Sequence, residues 1–408
     1  MSTNAKSAQI PPGMAADRAG SRLGLWVVTA VLGLFLFAAA APTPLYRMYA
    51  AEWGFTPAML TVIFAVYAVA LLATLLVAGS VSDAVGRRPV ILGALAVQSL
   101  SMLAFLVADS VTWLLVARIG QGVATGLATA AVAASLIDHQ PPTRPRLGPL
   151  LNAVTPMAGL ALGSLAAGAL VQYAPDPLRL VYAVMLAGFV MLAAAMLRVP
   201  ETVGQRRPVD LRPRAGVEPA LRAMFLAALP CIIACWALGG LYLSLGPSLM
   251  TQIEHTANHL LGSAIAFALC ASGATAGLLV RDRTPERAMR IGCSLLIAGL
   301  AFSIAAIMIE SGVLLLASST VAGAGFGCAF LGAFRILVAR ASPRRRGEVI
   351  AALYVAAYLA LSIPAVAAGI VTTRVGLRAT SIGYAAAVAV MAGWSLIAAR
   401  SRSHSGPG

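Results

Sequence analysis

Long apolar segments that are almost free of charge recur along the whole chain, and they restrict its fold more than any other feature. Each of these twelve segments has 17 to 28 residues. At a rise of 1.5 Å per residue, a helix of that length crosses a hydrocarbon layer of about 30 Å. Strands of a membrane barrel would instead alternate in polarity over about ten residues. We therefore predict an all-α membrane protein with twelve transmembrane helices, at residues 25–41, 57–78, 89–108, 111–137, 147–171, 178–197, 223–250, 260–280, 291–309, 312–339, 349–373 and 379–399.

The composition excludes several classes of protein. Only 11% of the 408 residues are charged, and 60% are hydrophobic, whereas soluble domains have about 25% charged residues. A soluble enzyme and a disordered chain are thereby excluded. The net charge of +15 comes from small basic clusters between the apolar segments rather than from one patch, so we expect no nucleic-acid partner. The five cysteines form no C-x-x-C pair, and we expect no metal site, no cofactor and no catalytic residues.

The basic residues also predict the orientation. If the N-terminus is cytoplasmic, 23 of the 29 lysines and arginines lie in cytoplasmic segments, four lie on the opposite side and two lie inside spans. Because loops rich in lysine and arginine stay in the cytoplasm, we predict a multi-pass protein of the cell inner membrane with both termini cytoplasmic. Cleavage of the first span as a signal peptide is the alternative, but it would leave eleven spans.

The longest polar loop divides the spans into two sets of six. We predict an N-terminal cytoplasmic tail (1–24), a first six-helix bundle (25–197), a cytoplasmic linker (198–222), a second six-helix bundle (223–399) and a C-terminal cytoplasmic tail (400–408). A weak repeat supports two related halves, because glycines at positions 120, 122 and 126 of span four are echoed at positions 323, 325 and 327 of span ten. Paired bundles of this kind are a recurring plan among transporters.

The loop after the second span carries the most specific motif. Its sequence runs Gly-Ser-Val-Ser-Asp-Ala-Val-Gly-Arg-Arg from position 79 to position 88. With twelve spans divided six and six, the chain resembles transporters of the major facilitator superfamily, whose loop signature is G-x-x-x-D-x-x-G-R-R. The resemblance implies two pseudo-symmetric six-helix bundles and a loop that acts as a conformational lock through Gly79, Asp83, Gly86, Arg87 and Arg88. It also implies that Asp83 meets the first turn of the helix that begins near Glu348, where an acid is favourable.

Span four contains a second motif, in which Arg118 is followed by Gln121 and Gly122. Together with Thr125 these residues share one helical face, and the motif is similar to an arginine motif of the same family. An arginine inside a span is costly and usually faces a cavity or a partner. Two interpretations are open. Arg118 either contributes to the central cavity, where it binds an anionic group or tunes a proton site, or it donates hydrogen bonds to neighbouring backbone carbonyls.

Span five partly resembles the drug:proton antiporter branch of the family. That branch has a motif ending in Gly-Pro-x-x-Gly-Gly, and residues 163–168 match it except for Ser164 in place of proline and Ala167 in place of a glycine. This resemblance favours a drug-efflux-like transporter. We expect four glycines to serve close helix packing: Gly122, Gly159, Gly163 and Gly168.

Proton coupling by a carboxylate needs an acid in a buried pathway. All 14 acids fall in loops or at span ends. Asp138 and Glu310 are the leading candidates if protons are coupled.

Polar and aromatic residues inside spans are candidates for contact with a substrate. In the family, helices one, four, seven and ten surround the substrate, and Tyr354 and Tyr358 share a face of span eleven. The candidate substrate or cavity residues are Arg118, Gln121, Thr125, Asn152, Trp236, Tyr242, Tyr354 and Tyr358.

The sequence as a whole predicts a secondary active transporter that moves a small organic solute by alternating access. We expect efflux, with protons as a candidate coupling ion, the lipid bilayer as surroundings and a monomer as the favoured oligomeric state. The alternatives are an uptake permease or uniporter of the same superfamily, and a sensor or membrane-embedded enzyme that keeps the fold without transport.

Overall fold

The structure, a computed structural model, describes residues 12–203, 215–256, 258–342 and 345–403. Within these ranges the chain forms thirteen α-helices and no strand. They are α1 (Pro12–Ala40), α2 (Tyr46–Trp53), α3 (Pro57–Val85), α4 (Arg87–Leu106), α5 (Val111–His139), α6 (Leu147–Tyr173), α7 (Pro177–Met196), α8 (Pro219–Ser244), α9 (Gly246–Ile253), α10 (His259–Leu279), α11 (Pro285–Met308), α12 (Gly312–Arg340) and α13 (Arg346–Ser403).

The helix α13 contains two membrane crossings. Among the described residues, eleven helices are long and apolar enough to cross a membrane, and the last candidate span covers 52 residues, or about 78 Å at the helical rise. The helix is interrupted at Gly376, where φ is 83° and ψ is 163°, a conformation open to glycine but strained for other residues. After this turn Ala385 and Val388 pack into the same core as Leu353, which precedes it. The chain therefore has the twelve crossings that the sequence predicts.

Several helix boundaries differ from the expected ones, and α3 extends to Val85 while α11 begins earlier, at Pro285. The predicted span 223–250 breaks at Leu245, because Pro247 has no N–H to donate inside a helix and instead stands in the first turn of α9. The helix α8 begins with Pro219, inside the predicted linker, for the same reason. The helix α1 begins at Pro12, inside the predicted tail. The short helices α2 and α9 follow the first helix of each half.

Each half has its own apolar core. One buried cluster runs from Leu25 to Val199, and the other from Leu221 to Ala392. The arginine-rich centre of the predicted linker lies outside the described residues: Arg206, Arg207, Pro208, Arg212, Pro213 and Arg214.

The two halves meet through α6 with α10 and α3 with α13. We call the side on which α3 ends and α4 begins the arginine-rich face, and the other side the opposite face. Near the opposite face, Ser164 Oγ donates to the carbonyl of Ser263 over 3.1 Å, and the His259 N–H donates to Gln172 Oε1 over 2.9 Å. A Cβ at Gly369 would lie 2.7 Å from Thr61 Cγ2, so glycine allows α13 to approach α3 there.

Candidate functional site

Arg118 is fully buried and holds the end of α1. Its Nη1 donates to the carbonyl of Ala39 over 3.2 Å and to Gln121 Oε1, and the Gln121 amide donates to the carbonyl of Ala38 over 2.9 Å. The last carbonyls of a helix lack partners within it, and a positive charge is favourable at that end. Arg118 and Gln121 therefore cap α1.

Two tyrosine rings flank the guanidinium of Arg118. Its Cζ lies 5.3 Å from the ring centroid of Tyr46 and 5.2 Å from that of Tyr67, within the range of a cation–π interaction. The Arg118 Nε also donates to the Tyr46 hydroxyl. Within the described ranges, its Nη2 has no hydrogen-bond partner, and no carboxylate forms an ion pair with Arg118. Carbonyl oxygens, a hydroxyl and ring faces thus stabilise this charge, and one donor stays unused.

An aromatic cluster in the second half surrounds Trp236. The ring centroid of Trp236 lies 5.6 Å from that of Phe330, 6.3 Å from that of Tyr354 and 4.9 Å from that of Tyr358. These four side chains, from α8, α12 and α13, are only partly buried. We call them the aromatic wall.

The aromatic wall adjoins the first half through a small buried cluster between the halves. Tyr358 and Trp236 pack against this cluster, whose members include Phe64, Tyr67 and Leu361. Because Tyr67 also lies against the guanidinium of Arg118, the two candidate regions are neighbours. Neither Tyr46 nor Tyr67 is singled out by the sequence, since each owes its position to contacts distant along the chain.

The remaining cavity candidates lie elsewhere or are turned to the backbone. Tyr242 is buried and bonds to Ser303, which donates to Ser318 Oγ over 2.8 Å, away from the aromatic wall. Thr125 is buried, and its hydroxyl donates to the carbonyl of Gln121 over 2.8 Å. Asn152 is half-buried near the arginine-rich end of α6.

The predicted lock loop forms a network of charges at the arginine-rich face. Arg87 pairs with Asp83, and its Nε lies 3.6 Å from Asp138 Oδ2. The Thr202 hydroxyl donates to Asp138 over 2.8 Å. The turn between α3 and α4 is thereby connected to the end of α5 and to the segment after α7.

Glu201 caps α4 and is a site residue that sequence reasoning missed. Its two carboxylate oxygens accept from the backbone N–H groups of Arg87 and Arg88, each over 3.0 Å. A Cβ at Gly86, where φ is 117°, would lie 2.6 Å from Glu201 Oε2, so glycine admits the carboxylate. Burial raises the pKa of Glu201, but backbone N–H bonds from Val203, Arg87, Arg88 and Thr202 outweigh it and leave the pKa below its ordinary value.

Among the described residues, Asp83 forms no ion pair or hydrogen bond with the first turn of α13 in this state. Its ion pair is with Arg87, and Glu348 in the first turn of α13 pairs with Arg345 over 2.8 Å. The reason is the way in which the halves meet, since the interhalf hydrogen bonds described above lie near the opposite face.

The four predicted packing glycines serve two kinds of contact. A Cβ at Gly122 would lie 2.8 Å from Ala70 Cβ on α3, and those at Gly159 and Gly163 would each lie 2.6 Å from backbone atoms of α1. A Cβ at Gly168 would lie 2.5 Å from Ser263 Cβ on α10. Three of these glycines thus pack the first half, and Gly168 packs one half against the other.

The two proton-coupling candidates lie at the ends of the bundles. The Asp138 side chain is 34% exposed beside Arg87. Glu310 is 54% exposed and pairs with Arg378 at the opposite face. Coupling through either residue stays a prediction.

Comparisons with known proteins identify the fold. Residues 23–365 match the family model described as Major Facilitator Superfamily, and no curated protein matches the sequence. A bacterial homologue of the human lysosomal transporter Spinster, in an inward-facing and unoccupied conformation, has 15% identity and a TM-score of 0.79, covering 98% of this chain and 100% of its own. The human organic anion transporter MFSD10 has 19% identity and a TM-score of 0.64, covering 95% of this chain and 100% of its own. The nucleoside transporter NupG has 13% identity and a TM-score of 0.66, covering 94% of this chain and 99% of its own.

Proposed function

Since the chain belongs to the major facilitator superfamily, we propose that it is a secondary active transporter that moves a small organic solute by alternating access. Two bundles with separate cores can move as units, and the few hydrogen bonds between them lie near one face. A solute held between the bundles reaches one side or the other as they rock. The described geometry corresponds to the state that is open toward the arginine-rich face.

The aromatic wall beside Tyr67 and Arg118 is the observation that carries this proposal. Aromatic faces bind apolar and planar solute surfaces, and a few polar groups set orientation. The unused Nη2 donor of Arg118 is buried beside Tyr67 in the described state, and we propose that it becomes available to the solute as the halves move. We therefore propose a solute with a planar or apolar body and an acceptor or anionic group.

The proposal also covers the direction of transport, the coupling ion and the membrane in which the protein lies. The motifs around Gly79, Arg118 and Gly163 support export, as in the drug-efflux-like branch. The arginine distribution supports an inner-membrane protein whose arginine-rich face is cytoplasmic. Protons are the proposed coupling ion, with Asp138 and Glu310 as the acids to test.

The lock network has a proposed role in the cycle. When the halves close at the arginine-rich face, Asp83 exchanges its partner Arg87 for the first turn of α13, where the helix dipole favours a carboxylate. Glu201 and Asp138 hold the loop for this exchange through the backbone of α4 and the side chain of Arg87.

Solute binding tests the proposed site directly. Candidate cationic drugs, organic anions, nucleosides, sugars and amino acids are titrated into purified protein while the tryptophan fluorescence is recorded. We expect a solute that quenches the fluorescence of the wild type and of the Trp394→Phe variant but not that of the Trp236→Phe variant. Trp394 is 69% exposed and lies outside the aromatic wall. Equal quenching in both variants would show that the solute does not bind at the aromatic wall.

A further inference from the structure

A lateral groove opens on the first half, away from the aromatic wall. It has a volume of about 700 Å³ and lies between α1, α6 and α7, with Leu278 of α10 at one edge. Sites for drug-sized ligands have about 300–1,000 Å³. Nearly all of its surface is carbon, and Leu162 and Met191 in its wall are more than half exposed. The groove therefore offers an apolar binding surface within the hydrocarbon layer.

Small residues on three helices create this space. Ala30 and Gly33 on α1, Ala158 on α6 and Gly188 on α7 all line the groove. A Cβ at Gly188 would lie 3.1 Å from Leu34, so larger side chains would narrow the groove. The shape thus follows from the sequence of the first half.

The groove has the depth of one membrane leaflet. Its lining on α6 runs from Leu150 to Leu162, about 18 Å at the helical rise, whereas half of the hydrocarbon layer is about 15 Å. Leu150 lies near the start of α6, and Leu278 immediately precedes the last residue of α10. The groove therefore begins at the arginine-rich face and ends near the middle of the membrane.

Each helix that lines the groove has an arginine between its lining residues and the arginine-rich face, or just beyond its end there. Arg22 lies before the lining residues of α1, Arg146 immediately precedes α6, Arg198 follows α7, and Arg281 follows α10. All four residues are exposed. The acids of the same region are engaged, since Asp138 lies beside Arg87 and Glu201 caps α4. Asp282 pairs with Arg281 over 3.4 Å, so Arg22, Arg146 and Arg198 carry most of the available positive charge. Positive charge thus surrounds the polar end of an apolar groove.

We propose that this groove binds one acyl chain of an anionic phospholipid from the leaflet at the arginine-rich face, with the headgroup phosphate among these arginines. Arginines beside transmembrane helices bind anionic headgroups in this way. A soluble anion fits less well, because the groove has almost no polar surface.

The lipid depends on the arrangement of the two halves. Leu278 belongs to the second half, whereas the other lining residues belong to the first. Rocking of the bundles moves Leu278 relative to α6 and so changes the groove. The lipid therefore favours the state described here over the state in which α6 and α10 close at the arginine-rich face.

Native mass spectrometry of the purified, delipidated protein tests this proposal with phosphatidylglycerol as the probe. We expect one retained phosphatidylglycerol that a tenfold excess of phosphatidylcholine does not displace. The Ala30→Trp variant fills the groove and should bind phosphatidylglycerol at least tenfold more weakly. The matched control is Val390→Trp, at a residue of α13 that is 71% exposed and outside the groove, and it should bind like the wild type.

Further arms keep the test decisive. Replacing Arg146 and Arg198 by Gln should weaken phosphatidylglycerol binding by about 25-fold, at about fivefold for each arginine near the surface. If Ala30→Trp does not fold, Leu162→Trp fills the same groove from a position that is 56% exposed. Displacement of the lipid by inorganic phosphate, equal binding of phosphatidylcholine, or wild-type binding in a folded groove-filling variant would each overturn the proposal.

Discussion

Replacing Gly369 by Val should open the contact between α3 and α13 near the opposite face. A Cβ at this position would lie 2.7 Å from Thr61 Cγ2 and 3.0 Å from Thr61 Cβ, well inside van der Waals contact. Overpacking of this kind costs about 1–3 kcal/mol. This cost arises only while the two helices touch, so it raises the free energy of the state in which they are in contact relative to the state in which they are apart.

A difference of that size shifts the equilibrium between the states by about 5- to 150-fold. Spin labels on Glu52→Cys and Arg374→Cys, both exposed near the opposite face, report the distance between the halves by electron paramagnetic resonance. We expect a longer distance population in the Gly369→Val variant. Gly383→Val is the matched control, because it lies on the same helix and a Cβ there meets nothing within 4 Å. If the two variants give the same distance distribution, the contact does not hold the opposite face closed.

Three further changes test separate parts of the account. Tyr46→Phe removes only the hydroxyl that accepts a hydrogen bond from Arg118. Because the buried Nε of Arg118 is then unpaired, the free energy of unfolding should fall by about 1–3 kcal/mol. An unchanged melting temperature would argue against the contact. The pKa of Glu201 lies below its ordinary value of 4.5. The ionised carboxylate therefore stabilises the folded protein fully above about pH 4.5, and this stabilisation is lost as the pH falls through the lowered pKa. Thermal unfolding from pH 3 to 6 should show this loss in the wild type but not in Glu201→Gln. Asp83→Asn should slow transport at least tenfold with normal membrane insertion, and wild-type transport rates in that variant would contradict the lock.

The crossings were predictable because hydropathy and helix length depend on local sequence. The sequence does not predict the break at Leu245, since residues 223–250 carry no charge and only the Gly246-Pro247 pair indicates a new helix start. Hydropathy also does not mark the ends of the helices, because apolar and small residues continue past them.

The candidate site was only partly predictable. Arg118 and Gln121 stand out because a charge inside an apolar span needs partners, but those partners are carbonyls of α1 more than 70 residues away. Glu201 gives no local signal, because its role depends on α4 lying beside the end of α7. Tyr242 shares span seven with Trp236, yet the packing of α11 against α12 places its hydroxyl in a different cluster.

Solute flux into proteoliposomes with an imposed pH gradient tests the central claim most directly. The internal pH and the solute are followed together for the wild type, for Trp236→Ala and for Trp394→Ala. We expect saturable flux that survives in Trp394→Ala and falls at least tenfold in Trp236→Ala, because only Trp236 belongs to the aromatic wall. Saturable flux that is equal in both variants would contradict the proposed site. If the wild type moves none of the candidate drugs, organic anions, nucleosides, sugars and amino acids, the proposal that the protein is a transporter would be contradicted.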